Sequence, residues 1–229
     1  MKSMMKSVLL VGLMSFPALS HAWTYVGNAG NVVVCSDQVM GFYDRFELTL
    51  RYDWVWDQEI IDQTDSGSEF DEVKLAGAYI KRIQKLNPIL FGKLSTYLST
   101  FRDEVTFVKG YLPNVLDDAG VVVLPAKDCS LELLIVQKPV QYPKKSLYTI
   151  NQIYWDKLST QDRAVAILHE IIYRVALSRG KAPESSEGVR LINEVILSNK
   201  VKTMSEDEFA NLLRLVFTPG SPGTPAPTK

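Results

Sequence analysis

The chain has 229 residues, with 25 basic and 26 acidic side chains and a formal charge of −1. That near-neutral balance gives no reason to expect a nucleic acid or an anionic membrane surface as partner. The length is enough to bury a substantial core, as one domain or two small ones.

The first residues have the pattern of a secretory signal. Lys2 and Lys6 precede a short apolar stretch from Val8 to Phe16, Pro17 breaks it, and Ser20-His21-Ala22 supplies small residues at a cleavage site. The stretch is shorter than the ~20 residues that span a bilayer, and no later run is long and apolar enough for a membrane helix. Residues 1–22 are therefore expected to be removed, residues 23–217 to form one domain, and the Pro/Gly/Thr-rich residues 218–229 to be a disordered tail. The expected location is periplasmic or secreted. In an oxidising compartment the two cysteines, Cys35 and Cys129, pair most simply as one disulfide. In the chain-entropy model such a long loop is worth about 4 kcal/mol. Two cysteines and a histidine as zinc ligands is the alternative, but no C-x-x-C element supports it.

Trp23–Val26 and Asn31–Cys35 read as short strands around Gly27-Asn28-Ala29-Gly30. That turn lacks the Lys-Ser/Thr of a phosphate loop, and a strand follows it where a helix should. Residues 39–57 satisfy both periods: Phe46, Leu48, Leu50, Tyr52, Trp54 and Trp56 alternate with more polar residues, while Val39, Phe42, Tyr43, Phe46, Leu50 and Trp54 share a helical face. A helix from about residue 39 giving way near Asp53 is the preferred reading. An amphipathic helix follows over 72–86, stopped by Asn87-Pro88, and Pro88 opens the next one to about Glu104. Thr106–Val108, Gly120–Leu124, Leu131–Gln137 and Leu147–Ile150 are expected as strands or extended loops. Ser159 with Asp162 caps a long apolar helix that Gly180 stops. Helices over 187–199 and from Ser205, capped with Glu208, to Phe217 complete the chain. The fold class is α+β, with short N-terminal and central strands, amphipathic helices and a helical C-terminal third.

Only one histidine, His169, remains after the signal, in Leu168-His169-Glu170-Ile171-Ile172-Tyr173-Arg174. His-Glu on a helix is the start of a zinc-peptidase motif, with the histidine as ligand and the glutamate as base. The second ligand is due one turn on, where this chain has Tyr173, a poor default ligand with an ordinary pKa near ~10. No histidine is left for a third position, so neither a metal nor any other cofactor is expected. At about 100° per residue, Glu170 shares a mostly polar stripe with Arg163, Ile167, Arg174 and Ser178, and Glu170–Arg174 is spaced as a surface ion pair. His169 points inward with Val165, Ile172, Tyr173 and Ala176. A core histidine hydrogen-bonded to its surroundings is the plainest reading. A metal-free general base aided by Tyr173 or Glu170 is the chemical one, which makes His169, Glu170 and Tyr173 the candidate catalytic residues.

No Gly-x-Ser-x-Gly elbow is present. Ser178-Arg-Gly-Lys181 matches Ser-x-x-Lys by chance, since it ends a helix instead of opening one. Two carboxylates are enough for a glycosidase. Tyr52, Trp54 and Trp56 can be read as a sugar-stacking platform or as core aromatics, and the core reading is the commoner one.

The chain resembles a set of uncharacterised exported proteins of predatory Gram-negative bacteria. The likeness lies in Val26-Gly27-Asn28-Ala29-Gly30 before Val32-Val33-Val34-Cys35, in Cys129 ahead of Leu134–Gln137, in Trp155–Leu158, and in the His169 helix followed by Gly180, Ser185 and Val189-Arg190. No activity comes with it. It implies that His-Glu-x-x-Tyr-Arg is a unit in its own right, with Arg190 meeting Glu170 from the next helix. The sequence thus points to a soluble exported protein acting by binding or as an envelope component, with partner and ligand unnamed. The alternative is a hydrolase of peptides or cell-wall polymers centred on the His169 helix.

Overall fold

The computed structural model describes residues 29–57, 59–60, 71–112, 122–137, 147–178 and 186–217. It is an α+β fold. Strands β1 (Ala29–Cys35), β2 (Gln38–Phe42), β3 (Val105–Val108), β4 (Cys129–Gln137) and β5 (Tyr148–Asn151) form a five-stranded sheet in the order β2-β1-β4-β5-β3. Neighbours are antiparallel except β3 and β5, which run parallel. The helices are α1 (Tyr43–Tyr52), α2 (Glu72–Lys81), α3 (Pro88–Thr100), the short α4 (Gln152–Trp155), α5 (Thr160–Leu177), α6 (Glu187–Leu197), the short α7 (Lys200–Thr203) and α8 (Glu206–Phe217). Among the described residues, no helix is long and apolar enough to cross a membrane.

Local chemistry sets most helix ends. The Asp71 side chain accepts from the Lys74 N–H, and Asn87 accepts from Leu90 N–H with Pro88 in the first turn. Ser159 Oγ accepts from Asp162 N–H, and Ser205 with Glu208 makes the reciprocal pair of a capping box. The ambiguous segment divides by type: Gln38–Phe42 is strand and Tyr43–Tyr52 is helix, which ends at Asp53 in the left-handed region (φ 52°). The expected helix start at residue 39 is thus four residues early, because pairing of β2 with β1 takes the first residues. The helix expected over 72–86 also ends sooner, at Lys81, and continues as turns. Val122–Leu124 carries no strand. The expected strand Trp23–Val26, the stop at Gly180, the signal segment and the tail lie outside the described residues.

Helix α5 is the centre of the molecule. Every residue from Ala164 to Tyr173 is buried, because α2, α3 and α6 pack around it while β1 and β2 approach from the sheet side. A helix covered all round has no polar stripe to show to water. On the far side of the sheet lie two small apolar clusters, Val33–Tyr43–Cys129 and Leu112–Val136.

Cys35 and Cys129 sit opposite each other on β1 and β4 and form a disulfide. It closes a loop with a sequence separation of 94, so it constrains the unfolded chain strongly. A Cys35→Ser/Cys129→Ser variant is expected to lose about 2–5 kcal/mol in denaturant unfolding. Reductant should lower the wild type to the same level and leave the variant unchanged. Equal stability of variant and oxidised wild type would show that the bond contributes nothing.

Candidate functional site

A group of polar side chains is sealed between α1, α5 and α6. Its hub is Asp44 on the first turn of α1. Asp44 Oδ2 accepts from Asn193 Nδ2 at 2.7 Å and lies 2.8 Å from His169 Nδ1. One turn along α1, Glu47 receives Arg190 Nε at 2.6 Å and Arg51 NH1 at 2.9 Å. Arg51 also binds Glu187, and Arg190 NH1 donates to Ser186 Oγ at 2.7 Å. Asp44, Glu47, His169, Glu170, Arg190, Asn193 and Glu194 are all buried. The spacing explains the convergence: Asp44 and Glu47 are three apart on α1, and Arg190, Asn193 and Glu194 are three and four apart on α6, so each set shares a helical face.

His169 is 2% exposed, as its inward placement predicted. Phe42 meets its ring edge-on, with centroids 5.6 Å apart. Burial pulls the imidazole pKa down, but the Asp44 carboxylate outweighs it through charge and hydrogen bond, so the net shift is upward. Nδ1 is thereby committed to Asp44, while Nε2 is buried without a hydrogen-bond partner.

Glu170 departs from the expected surface stripe. It is fully buried, and the expected Glu170–Arg174 pair does not form. Arg174 instead reaches Glu104 at 2.6 Å and lies over the Tyr97 ring at 4.1 Å. Arg190 likewise meets Glu47 and not Glu170. The physical reason is the all-round cover of α5. Glu170 faces β1 at Gly30, where an added Cβ would come within 2.9 Å of its Oε1. Any larger residue at Gly30 collides with the carboxyl. Both Glu170 oxygens are buried and lack a well-formed hydrogen bond, the Gly30 backbone N–H acting on them only weakly. Burial pushes the carboxyl up to about 8; the pull of His169 and of the Gly30 backbone N–H is the smaller effect.

Glu194 shows the same condition. Burial and then the neighbouring Glu47 and Asp44 charges raise its pKa well above the ordinary range. Sequence reasoning missed Asp44, Glu47, Asn193 and Glu194. The available signal was helical spacing, Asp44-x-x-Glu47 and Arg190-x-x-Asn193-Glu194, which places charges on the apolar side of each helix. Tyr173, the third candidate, is buried within the apolar core. Among the described residues, no group of three or more His, Cys, Asp or Glu is placed to hold a metal ion.

A second feature lies on the sheet face turned away from α5. On β1 and β4, Asn31, Leu131 and Leu133 alternate with the core-facing Val32 and Leu134. With Tyr111, Leu112, Ile153 and Tyr154 they line an open groove of about 520 Å³, with Asn151 and Glu132 as polar groups. Tyr111 is fully exposed and Ile153 about half exposed at its rim. The aromatics at 52–56 are disposed differently. Tyr52 stacks on Trp54, while Trp56 Nε1 donates to Tyr79 OH at 2.8 Å and packs against the core. No protein-family model, curated protein or solved structure matches the chain.

Two predictions follow from the burial of these groups. His169→Ala removes one of the two groups holding Asp44 and is expected to lose more than about 2 kcal/mol in chemical unfolding. If His169 matters through Asp44, the loss combines non-additively with that of Asp44→Asn; simple additivity of the two losses would refute the pairing. Glu170, being a carboxyl with a raised pKa, favours the fold fully below its ordinary pKa of 4.5 and loses that contribution as pH rises to about 8. Glu170→Gln should therefore gain stability over wild type across that window, at up to about 1.4 kcal/mol per pH unit. A pH-independent difference would show that Glu170 is not held protonated.

Proposed function

We propose that this chain is an exported protein, periplasmic or secreted, that acts by binding at the outer groove of its sheet. The carrying observation is the groove itself: exposed Tyr111 and Ile153 above Leu131 and Leu133, with Asn31 and Glu132 beside them. Apolar area exposed in one contiguous place marks an interaction surface. Tyrosine faces with amide and carboxylate groups close by suit sugar rings, whose C–H faces stack and whose hydroxyls take hydrogen bonds. Cell-wall glycan is therefore the substrate class we assign. The disulfide is consistent with an oxidising compartment. The resemblance to exported bacterial proteins agrees with an envelope setting.

One observation favours the hydrolase reading. His169 is oriented by Asp44 through Nδ1 and keeps Nε2 unpaired, the arrangement of an imidazole held as a general base. Against it stands the sealing of His169 from water.

Isolated peptidoglycan sacculi separate the two. The mature protein is expected to co-sediment with sacculi without releasing soluble fragments. Tyr111→Ala combined with Ile153→Ala should reduce the bound fraction by about tenfold, equal to ~1.4 kcal/mol of lost stacking and contact. Fragment release abolished by His169→Ala would establish the hydrolase instead. No sedimentation above background would remove the glycan assignment.

A further inference from the structure

The contact between α1 and its neighbours is unusual in chemistry. The buried face of α1 consists of Tyr43, Asp44, Glu47 and Leu48. Two of these four are carboxylates: Asp44 bonds to His169 and Asn193 and Glu47 to Arg190, while Arg45–Asp162 and Arg51–Glu187 are further ion pairs from α1 to α5 and α6. On its outer side α1 exposes Leu50. Helix α1 is thus docked largely by charge, whereas α5 and α6 are docked by apolar side chains such as Ile167, Ile171, Ile172, Ile192, Val195 and Ile196.

Two further carboxyls lie against that docked face. Glu194 adjoins Glu47 and Asp44. With every carboxyl ionised, neither Glu194 oxygen has a hydrogen-bond partner. Two adjoining carboxyls make a hydrogen bond only when a proton sits between them. Glu170 faces β1 at Gly30, within electrostatic reach of the Asp44–His169 pair. Among the described residues, with Glu170 and Glu194 both protonated and His169 charged, the cations His169, Arg190, Arg51 and Arg45 face the carboxylates Asp44, Glu47, Glu187 and Asp162 in equal number. Loss of the two protons adds two carboxylates to this set in a region of low dielectric. The repulsion falls on Asp44 and Glu47, two of the residues that hold α1 down. Other groups facing the cluster are the hydroxyls of Tyr43 and Tyr52, both shifted upward by burial, and Tyr148 beside Glu170. They stay neutral over the range concerned.

We infer that α1 is a proton-held cover over His169, closed while Glu170 and Glu194 carry protons and lifted when both release them to solvent. Lifting α1 removes Asp44 from Nδ1 and opens the sealed imidazole to water. The α5–α6 packing, being apolar, stays in place.

Hydrogen exchange of the mature protein between about pH 6 and about pH 9 tests this. After correction for the intrinsic pH dependence, residues 43–52 are expected to lose protection by at least about tenfold, one pKa unit of linkage, while residues 164–173 keep theirs. Because His169 is the only histidine after the signal, its acylation by diethylpyrocarbonate, located by mass spectrometry, reports the same opening at a single site. In Glu170→Gln/Glu194→Gln, both changes should disappear. Unchanged protection of residues 43–52 in the wild type overturns the inference whatever the variant does. So does equal loss in wild type and variant. Should the double variant fail to fold by circular dichroism, the infrared carbonyl band of protonated carboxyls in the wild type decides: its absence near neutral pH overturns the inference, and its loss together with the α1 protection supports it.

Discussion

The Asp44 carboxylate is the constraint on which the helical layer depends. It stands on α1, accepts from Asn193 on α6 and pairs with His169 on α5, so one side chain fixes the relative positions of three helices. Such a group is stable inside a protein only when its charge is matched and its lone pairs are used. His169 supplies the charge and Asn193 the second bond. Asn193 Nδ2 also lies 3.2 Å from the Val165 carbonyl, tying the same node to the α5 backbone. The Arg190–Glu47–Arg51–Glu187 chain one turn away repeats the arrangement at the edge of the layer.

This polar node sits inside an otherwise apolar packing scheme, and the two act differently. The apolar contacts of α5 define the fold without specifying a single register, since branched aliphatic side chains interdigitate in more than one way. The charged contacts of α1 are directional and few. A buried ion pair adds little net stability over a well-packed apolar replacement, but breaking one partner leaves an uncompensated charge at a cost of several kcal/mol. The node therefore contributes mainly by fixing how α1 sits. It also leaves the fold sensitive to proton binding, because burial outweighs the groups that favour the charged forms of Glu170 and Glu194.

Much of the architecture was legible in the sequence because it rests on local chemistry. Ser159, Ser205 and Asn87 announce helix starts through hydrogen bonds made within four residues, Pro88 does so through its fixed φ, and β-branched Val32–Val34 announces a strand. Cysteine count and compartment were enough for the disulfide. His169 was placed inward by the apolar neighbours at one helical turn. The failures have a common cause. Glu170 was assigned to the surface because a polar stripe on a helix ordinarily faces water, yet between Ala164 and Tyr173 only His169 and Glu170 interrupt an apolar run. A run that dense describes a helix covered on all sides. Asp44 and Glu47 were passed over because residues 39–57 fit two periods, and the strand-to-helix change at Phe42–Tyr43 is decided by the pairing of β2 with β1, a contact outside the segment's own pattern.

The same distinction bears on how the His-Glu pair should be understood. In a working metal helix the glutamate must reach water bound beside the histidine. Here adjacent positions on α5 put the two side chains about 100° apart, into different surroundings. His169 turns to α1 and α6, where a carboxylate raises its pKa. Glu170 turns to β1, where Gly30 leaves just enough space for a neutral carboxyl. Each group has its protonation set by the element it faces, and the two shifts run in the same direction, toward holding a proton. A pair in which both members retain protons is a poor base at neutral pH but a good reservoir. That chemistry fits a structural node that responds to pH more closely than it fits a hydrolytic centre. It leaves, on the opposite face of the sheet, a groove where Tyr111 stands open to solvent.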